Sequence, residues 1–323
     1  MLNLMGVKTM TLRNIIKSII MGLIITFFGS SAFSADYPNK PIKLYIGYKA
    51  GGGTDTVGRV LAKIMSEELG QQVNVINKPG AGGCVAAMQV KRMKADGYSL
   101  LMDPSSSITW ARHTNSKCKV EIDHLDYVGT IAQFNFGLVS HVSAPYNNIE
   151  EFINWSKGKT VKYVLLSPGS KALMKYIAAE KGLKVNYVPA KGGADMIKLI
   201  LGKQVDMSFS GGIHTRHPDK IKLIASVASY RHAASPNIRT LKESGIDVEA
   251  GAFHFVAGPK GMPSDILAKL EAAMKAASKH SSMIDISNKT KYPIVYNTSK
   301  DTAKIMKQQD KSYRILTEKT GKM

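Results

Sequence analysis

The chain has 323 residues, of which 44% are hydrophobic and 21% charged, and it contains no low-complexity segment. This length suits one large domain or two medium-sized domains, each able to bury its own core. The formal net charge is +20, but the lysines are spread along the chain and no nucleic-acid-binding motif accompanies them. We therefore expect no nucleic-acid partner; the positive field favours a small anionic ligand, with solvated lysine faces that have no function as the alternative.

The first 34 residues have the pattern of a secretory signal peptide. Lys8, Arg13 and Lys17 precede the apolar run 19–29, and the small residues 30–35 follow it. An apolar run of about 11 residues is too short for a membrane span, which needs about 20. We expect cleavage near Ser34 or Ala35, no lipid anchor and a periplasmic protein with a net charge of +17 (41 Lys and Arg minus 24 Asp and Glu). Translation from Met10 and an uncleaved anchor are the alternatives.

Strands and helices alternate in the first part of the mature chain. A strand over 41–48 is followed by a glycine-rich loop and by a helix that Thr54 or Asp55 caps and Gly70 ends. The remaining predicted elements are a strand over 73–76, the loop Pro79–Gly83, a helix over 84–94 and a strand over 98–102 that leads into 103–107. This alternation predicts a parallel sheet with helices on its faces.

The same alternation begins again near residue 125. Strands are predicted over 125–133, 136–141, 161–166, 185–188, 205–209, 221–227 and 253–259, and helices begin after Asn148, Ser167, Gly193 and Pro263 and over 300–316. No flexible tether separates the two parts, so we expect more than one crossing strand and a C-terminal return to the first part. The predicted organisation is lobe 1 from 35–136 and 257–323, and lobe 2 from 137–256.

The loop spacings argue against nucleotide binding and catalysis. Residues 50–56 lack the Lys-Ser/Thr ending of a P-loop, and Val85 occupies the position where a dinucleotide fingerprint needs Gly or Ala. The aspartates are scattered as caps or turn residues, and His214 and His217 are expected in a surface turn without a third zinc ligand. We predict no catalytic residue, no metal and no cofactor.

Loops at the carboxyl ends of strands are the remaining candidates for a site. These loops are 48–55, 103–107, 167–171, 189–195 and 209–212. Open α/β sheets bind ligands at this edge, where helix N-termini supply free N–H donors. Two facing lobes with such loops can hold a ligand that bears negative groups; well-capped connections without a ligand are the alternative.

The two cysteines, Cys84 and Cys118, allow a single disulfide in an exported protein. The alternative is that Cys84 is a small buried residue at the start of a helix.

An ordered set of motifs resembles the Bug-type receptors of tripartite tricarboxylate transporters. The motifs include Gly51-Gly52-Gly53-Thr54-Asp55, Asn77-Lys78-Pro79-Gly80-Ala81-Gly82-Gly83, Asp96-Gly97-Tyr98, Leu201-Gly202-Lys203-Gln204-Val205-Asp206 and Gly258-Pro259-x-Gly261-Met262-Pro263. The resemblance covers nearly the whole mature chain. It implies a two-lobed, type II-like α/β periplasmic-binding-protein fold, which closes on a small mono-, di- or tricarboxylate and passes it to a membrane permease. We expect a monomer and no enzymatic activity; an exported enzyme acting on organic acids and a receptor for a signalling partner are the alternatives.

The resemblance also assigns ligand contacts. They are Tyr48, Ala50, Gly51, Gly52, Gly53, Thr54, Asp55, Ser105, Ser106, Ser107, Ser167, Gly169, Ser170, Ala190, Lys191, Gly192, Gly193 and Asp206. Three positions depart from the family pattern: Gly47-Tyr48-Lys49-Ala50 replaces Pro-Phe-x-Pro, Lys171 follows Ser170, and Ala190 replaces a tyrosine. Lys49 and Lys171 either add positive charge to the pocket or point to solvent.

Overall fold

Two five-stranded sheets carry the fold, one in each half of the molecule. The computed structural model describes residues 37–190, 192–232 and 234–321, so the predicted signal peptide and Lys191 lie outside the described residues. Residues from Lys40 onward belong to one compact unit that contains every element below; of the preceding unit, Met1–Asn39, only residues 37–39 are described.

The first sheet has the strand order β2-β1-β3-β10-β4. Its strands are β1 (Ile42–Ile46), β2 (Val73–Asn77), β3 (Ser99–Pro104), β4 (Leu125–Gln133) and β10 (Phe253–Pro259). Strand β1 pairs in parallel with β2 and β3, whereas β10 lies antiparallel between β3 and β4. We call the part of the chain built on this sheet the first lobe.

The second sheet has the order β7-β6-β8-β5-β9. Its strands are β5 (Gly137–His141), β6 (Thr160–Leu165), β7 (Lys184–Pro189), β8 (Met207–Ser210) and β9 (Ile221–Ser226). Strand β6 is parallel to β7 and β8, and β5 is antiparallel to β8 and β9. The part built on this sheet is the second lobe.

Helices cover the faces of both sheets. They are α1 (Gly53–Leu69), α2 (Cys84–Val90), α3 (Ser106–Thr109), α4 (Ala111–Thr114), α5 (Ile149–Ser156), α6 (Pro168–Lys181), α7 (Gly193–Leu201), α8 (Ser264–Ala277), α9 (Ser281–Thr290) and α10 (Ser299–Thr320). Helix α1 buries Val57, Leu61 and Ile64 at steps of three and four residues, so one apolar stripe faces the core. It ends at Gly70, which adopts φ +65°.

The N-terminus of α1 corrects one prediction. The residue that precedes the helix is Gly52, which has no side chain for capping, so neither Thr54 nor Asp55 is the N-cap. Asp55 instead reaches back from the first turn and accepts the Gly51 N–H at 2.9 Å. Asn148 and Ser167 each cap the helix that follows through their side chains.

The chain passes between the lobes in two neighbouring segments. Phe134 N–H donates to Ala252 C=O at 2.9 Å, so the two crossings lie side by side. Strand β10 pairs with the first sheet from Phe253 onward, and a lobe boundary between 256 and 257 would divide it. We therefore place the second crossing before Phe253.

Cys84 and Cys118 form a disulfide, which settles the alternative that the sequence leaves open. Their Cα atoms lie 5.8 Å apart, and both residues are buried. The bridge ties the first residue of α2 to the segment that precedes β4.

Candidate ligand-binding site

The loop after β1 is organised by a buried carboxylate. Asp55 is 2% exposed and accepts hydrogen bonds from Gly51 N–H, Arg59 Nε and Asn77 Nδ2, each at 2.9 Å. Burial opposes its ionisation, but the hydrogen bonds from Arg59, Gly51 and Asn77 outweigh burial and hold its pKa below the ordinary value. Gly51 adopts φ +79°, a conformation that favours glycine. Asp55 thus holds the shape of the loop.

Residues 50–53 form the exposed rim of this loop, whereas Thr54 is buried. The Thr54 hydroxyl lies 3.2 Å from Nε2 of His254 on β10. Burial lowers the pKa of His254 to about 3, so the imidazole is neutral. The first N–H groups of α1 have no intrahelical partner and face the loop. The rim can therefore offer backbone donors to an anion.

A second buried carboxyl, Asp103, lies where three first-lobe loops meet. Its Oδ1 accepts the Gly47 N–H at 2.7 Å. A Cβ atom at Gly47 would lie 2.6 Å from Asp103 Oδ2 and 2.5 Å from Gly83 Cα, so only glycine fits there. The Tyr48 hydroxyl donates to Gly82 C=O at 2.9 Å and closes the loop after β1 against the loop before α2.

The serines that follow β3 have different surroundings. Ser105 is buried and binds Phe253 twice, through its N–H at 2.8 Å and through its Oγ, which accepts at 3.3 Å. Ser107 is also buried and lies beside Asp103, but its Oγ and Asp103 Oδ2 have no hydrogen-bond partner of good geometry among the described residues. Burial raises the pKa of Asp103 well above its ordinary value. Ser106 is partly exposed.

Serines at the start of α6 are occupied by helix capping. Ser167 Oγ accepts the Ser170 N–H at 3.2 Å, and Ser170 Oγ accepts the Ser167 N–H at 3.0 Å. The intervening Gly169 lies against the first lobe, since a Cβ there would be 3.3 Å from Cε2 of Trp110. The Lys171 ammonium lies 5.8 Å from the centre of the Tyr187 ring.

A cavity of about 420 Å³ opens beside the loops of the second lobe. Its lining combines glycine backbone, apolar side chains and one guanidinium. The lining residues are Leu166, Gly192, Gly193, Met196, Phe209, Gly211, Gly212, Ile213, Arg216, Thr290 and Tyr292. Gly192 and Gly193 are the predicted contacts among them; the nearby Ala190 donates its N–H to Leu165 C=O and does not line the cavity.

Asp206 lies apart from the other predicted contacts. It immediately precedes β8. Because β8 is parallel to β6, Asp206 lies at the amino ends of these strands, whereas the predicted loop after β6 lies at their carboxyl ends. Its carboxylate accepts the Lys162 N–H at 2.7 Å, and its carbonyl accepts the Tyr146 hydroxyl at 2.6 Å. The structure therefore does not bring Asp206 to the cavity.

Arg216 and Tyr292 line the cavity, and sequence reasoning missed both. Arg216 ends the short turn Ile213–Arg216, and this turn begins at a buried pair in which His214 Nδ1 lies 2.8 Å from Ser210 Oγ. His214 is 5% exposed, so the predicted surface turn is wrong for this residue. Burial and the neighbouring His232 lower the His214 pKa to about 3. The sequence signal that could have indicated Arg216 is its position as a basic residue soon after the Gly211-Gly212 pair.

Tyr292 brings the two lobes together. A Cβ at Gly53 would lie 3.2 Å from the Tyr292 hydroxyl oxygen, and a Cβ at Gly212 would lie 3.6 Å from its ring. The ring also packs against Phe134 in a crossing segment, with 4.8 Å between the ring centres and an angle of 53° between the ring planes. The rim of the first-lobe loop and the cavity of the second lobe thus share one aromatic wall.

The described residues offer little metal chemistry and no transmembrane helix. His, Cys, Asp and Glu side chains in 37–190, 192–232 and 234–321 form no cluster suited to a metal ion. Among these residues, none of the helices has the length and apolar character needed to cross a bilayer.

The sequence matches a known family over most of its length. The profile of the tripartite tricarboxylate transporter family receptor aligns with residues 57–321. The chain belongs to this receptor family. One relative of this tricarboxylate transporter receptor, the "UPF0065 protein in gbd 5′region" of Cupriavidus necator, is 32% identical over 294 residues, or 88% of this chain and 89% of the relative.

Solved structures agree with this assignment. A TctC solute binding protein from Polaromonas is 25% identical with a TM-score of 0.81, and it covers 88% of this chain and 99% of its own. The periplasmic binding protein BugD is 26% identical with a TM-score of 0.66, at the same coverage of 88% and 99%. The receptor is thus a Bug-type solute-binding protein with the two-lobed α/β fold of periplasmic binding proteins, and its relatives are solute receptors rather than enzymes.

Proposed function

We propose that this receptor captures a small carboxylate in the periplasm, closes its two lobes on it and delivers it to the membrane permease of a tripartite transporter. Residues 1–34 would direct export, and the mature protein would act as a monomer. The observation that carries the proposal is the cavity of about 420 Å³ walled by second-lobe loops and by Tyr292, which also packs on the glycine rim of the first lobe.

The chemistry of the walls supports an anionic ligand. The first N–H groups of α1, which begins at Gly53, provide donors on one side, and Arg216 provides a positive charge on the other. We assign direct contact to residues 50–53, Ser106, Gly192, Gly193, Arg216 and Tyr292. Tyr48, Thr54, Asp55, Ser105, Ser107, Ser167, Gly169, Ser170 and Ala190 would hold the loops in shape, and Asp206 would contribute only to the fold.

Closure requires that the ligand bind the closed form better than the open form. The Tyr292 wall shared by both lobes supports a link between ligand binding and closure, because a ligand between the lobes contacts both of them at once. Lys49 is exposed and Lys171 lies over Tyr187, so neither lysine is part of the proposed contact set.

A thermal-shift screen of the mature protein against mono-, di- and tricarboxylates tests the proposal. A carboxylate at 100 times its Kd should stabilise the folded state by about 2.7 kcal/mol, and the melting temperature should rise with ligand concentration. If no carboxylate shifts the melting temperature while ligands of another class do, the proposal is wrong.

Gly192→Val is the matching site variant. A Cβ at Gly192 meets nothing within 4 Å, so the added side chain enters open space next to the cavity without a clash. We expect the variant to keep its unliganded melting temperature and to lose the ligand-induced shift. A full shift in this variant would remove the second-lobe cavity from the site.

A further inference from the structure

The cavity next to the second-lobe loops has walls of unequal chemistry. The side chains of Leu166, Met196, Phe209 and Ile213, together with the Tyr292 ring, make most of its surface apolar. Among the described residues that line the cavity, Arg216 is the one formally charged side chain, and no carboxylate of these residues accompanies it. A ligand that fills this space therefore meets the positive charge of Arg216 and a large apolar surface.

Arg216 has no competing partner within the described part of the chain. Its side chain forms no ion pair and no hydrogen bond with another described residue, and it is exposed. Several other arginines are paired, such as Arg59 with Asp55 and Arg231 with Glu243. Binding a carboxylate at Arg216 would thus not require breaking an existing ion pair.

Hydrogen bonds within the preceding residues hold the backbone that carries Arg216. The turn Ile213–Arg216 is anchored by the preceding Ser210. The Ser210 Oγ accepts the Gly212 N–H at 3.2 Å and lies 2.8 Å from His214 Nδ1. The Thr215 hydroxyl also donates to Gly212 C=O at 2.7 Å. These contacts fix the backbone of the turn, so a ligand need not order it. A guanidinium on a fixed backbone suits bidentate recognition of a carboxylate.

Hydroxylated acids fit this cavity poorly. Each ligand hydroxyl or extra carboxylate placed against Leu166, Met196 or Ile213 would lose its hydrogen bonds to water without replacement, which costs about 1–3 kcal/mol per group. An alkyl or aryl body gains about 25 cal/mol for each Å² of apolar surface removed from water.

We propose that the receptor selects organic acids that present one carboxylate to Arg216 and an apolar alkyl or aryl body to the cavity, in preference to hydroxylated di- and tricarboxylates. This inference rests on the proposed function, since it assigns a ligand class to the same cleft. It makes Arg216 a specificity-determining residue.

Calorimetric titrations of the mature protein with hexanoate, benzoate, citrate and malate test the inference. We expect hexanoate or benzoate to bind at least about tenfold more tightly than citrate and malate, because one buried unpaired hydroxyl already costs about tenfold in affinity. Arg216→Gln should lower the affinity for the preferred acid by about 10- to 100-fold, which is the usual effect of losing a charge-assisted hydrogen bond. Arg216→Lys keeps the positive charge and should lower this affinity less.

Arg92→Gln is the matched control. Arg92 is exposed, has no side-chain partner among the described residues and lies in the first lobe after α2, so affinity should stay within about twofold. Tighter binding of citrate or malate, or an Arg216→Gln variant within twofold of the parent, would overturn the inference and leave the proposed function intact. If none of the four acids binds and the wider carboxylate screen is also negative, both proposals fail.

Discussion

Asp103 is the buried carboxyl on which the first-lobe loops converge. It is 0% exposed, one oxygen accepts the Gly47 N–H, and the other has no partner of good geometry among the described residues. Burial raises its pKa well above the ordinary value of 3.8, so the group resists ionisation in the folded protein. A carboxyl that resists ionisation beneath the glycine rim repels an anion bound above it less than an ordinary carboxylate would.

Asp103→Asn should make stability less dependent on pH. In the parent, the folded state holds a proton that the unfolded state releases above pH 3.8, so stability falls as pH rises from that value toward the folded pKa. The asparagine keeps an acceptor for Gly47 and has no proton to lose. We expect similar melting temperatures near pH 4 and a higher melting temperature for the variant at pH 8, with a difference that grows as pH rises. Melting curves across this range would contradict the assignment if the difference stayed constant with pH.

Residue types alone indicated where the loops lie but not which way their side chains turn. The family resemblance assigns Ser167, Ser170 and Asp55 as ligand contacts, and in the structure their side-chain oxygens bind the loop backbone. Contact between these residues and a ligand stays a prediction. Arg216 could not be found in the same way, since its place depends on the turn that the buried His214–Ser210 pair builds.

At the level of elements, the hydrophobic pattern predicted the ends of most strands to within two residues and overestimated the length of one helix. The predicted helix over 84–94 ends at Val90, where the buried positions stop. Helix α9 was missed because only Met283 and Ile286 of its ten residues are buried, which leaves a weak apolar periodicity. The sheet order joins strands far apart in sequence, such as β10 with β3 and β4, and no local pattern encodes that pairing.

The disulfide stabilises the α2 region through the unfolded chain. Cys84 and Cys118 are separated by 34 positions, and closing a loop of that length removes about 4 kcal/mol of chain entropy from the unfolded state. The double variant Cys84→Ala/Cys118→Ala should therefore lose up to about this amount of unfolding free energy. Chemical denaturation of both proteins measures the difference; a reductant should lower the stability of the parent and leave the variant unchanged. Equal stability of parent and variant would show that the bridge contributes nothing.

On the scale of the whole molecule, the contacts between the lobes include two in which an aromatic ring lies against a glycine. Tyr292 lies between Gly53 and Gly212, and Trp110 of the first lobe lies against Gly169 at the start of α6. The Trp110 ring also packs edge-on at 5.2 Å against Tyr313 of the last helix, which runs from β4 to the second lobe. These contacts set how closely the lobes approach. Because Gly53 and Gly169 have no side chain, the aromatic rings can lie close to the backbone there.

Gly169→Val should therefore shift the lobes apart. A Cβ there already lies 3.3 Å from Trp110, and the two further methyl groups of valine have to displace the indole ring. If the binding-competent arrangement becomes a tenth as populated, the apparent Kd rises tenfold, because affinity scales with that fraction. Small-angle scattering should then show a larger radius of gyration, and titration should show weaker binding of whichever carboxylate the screen identifies.

The double variant Gly169→Val/Trp110→Ala separates a lobe effect from local damage at the start of α6. Truncating the indole removes the ring that the valine displaces, so the double variant should recover much of the parent radius and affinity, with Trp110→Ala alone as the reference. If valine acts only on the helix cap, the double variant will be no better than Gly169→Val. That result, or a single variant that matches the parent in both measurements, would mean that the Trp110 contact does not control how the lobes approach.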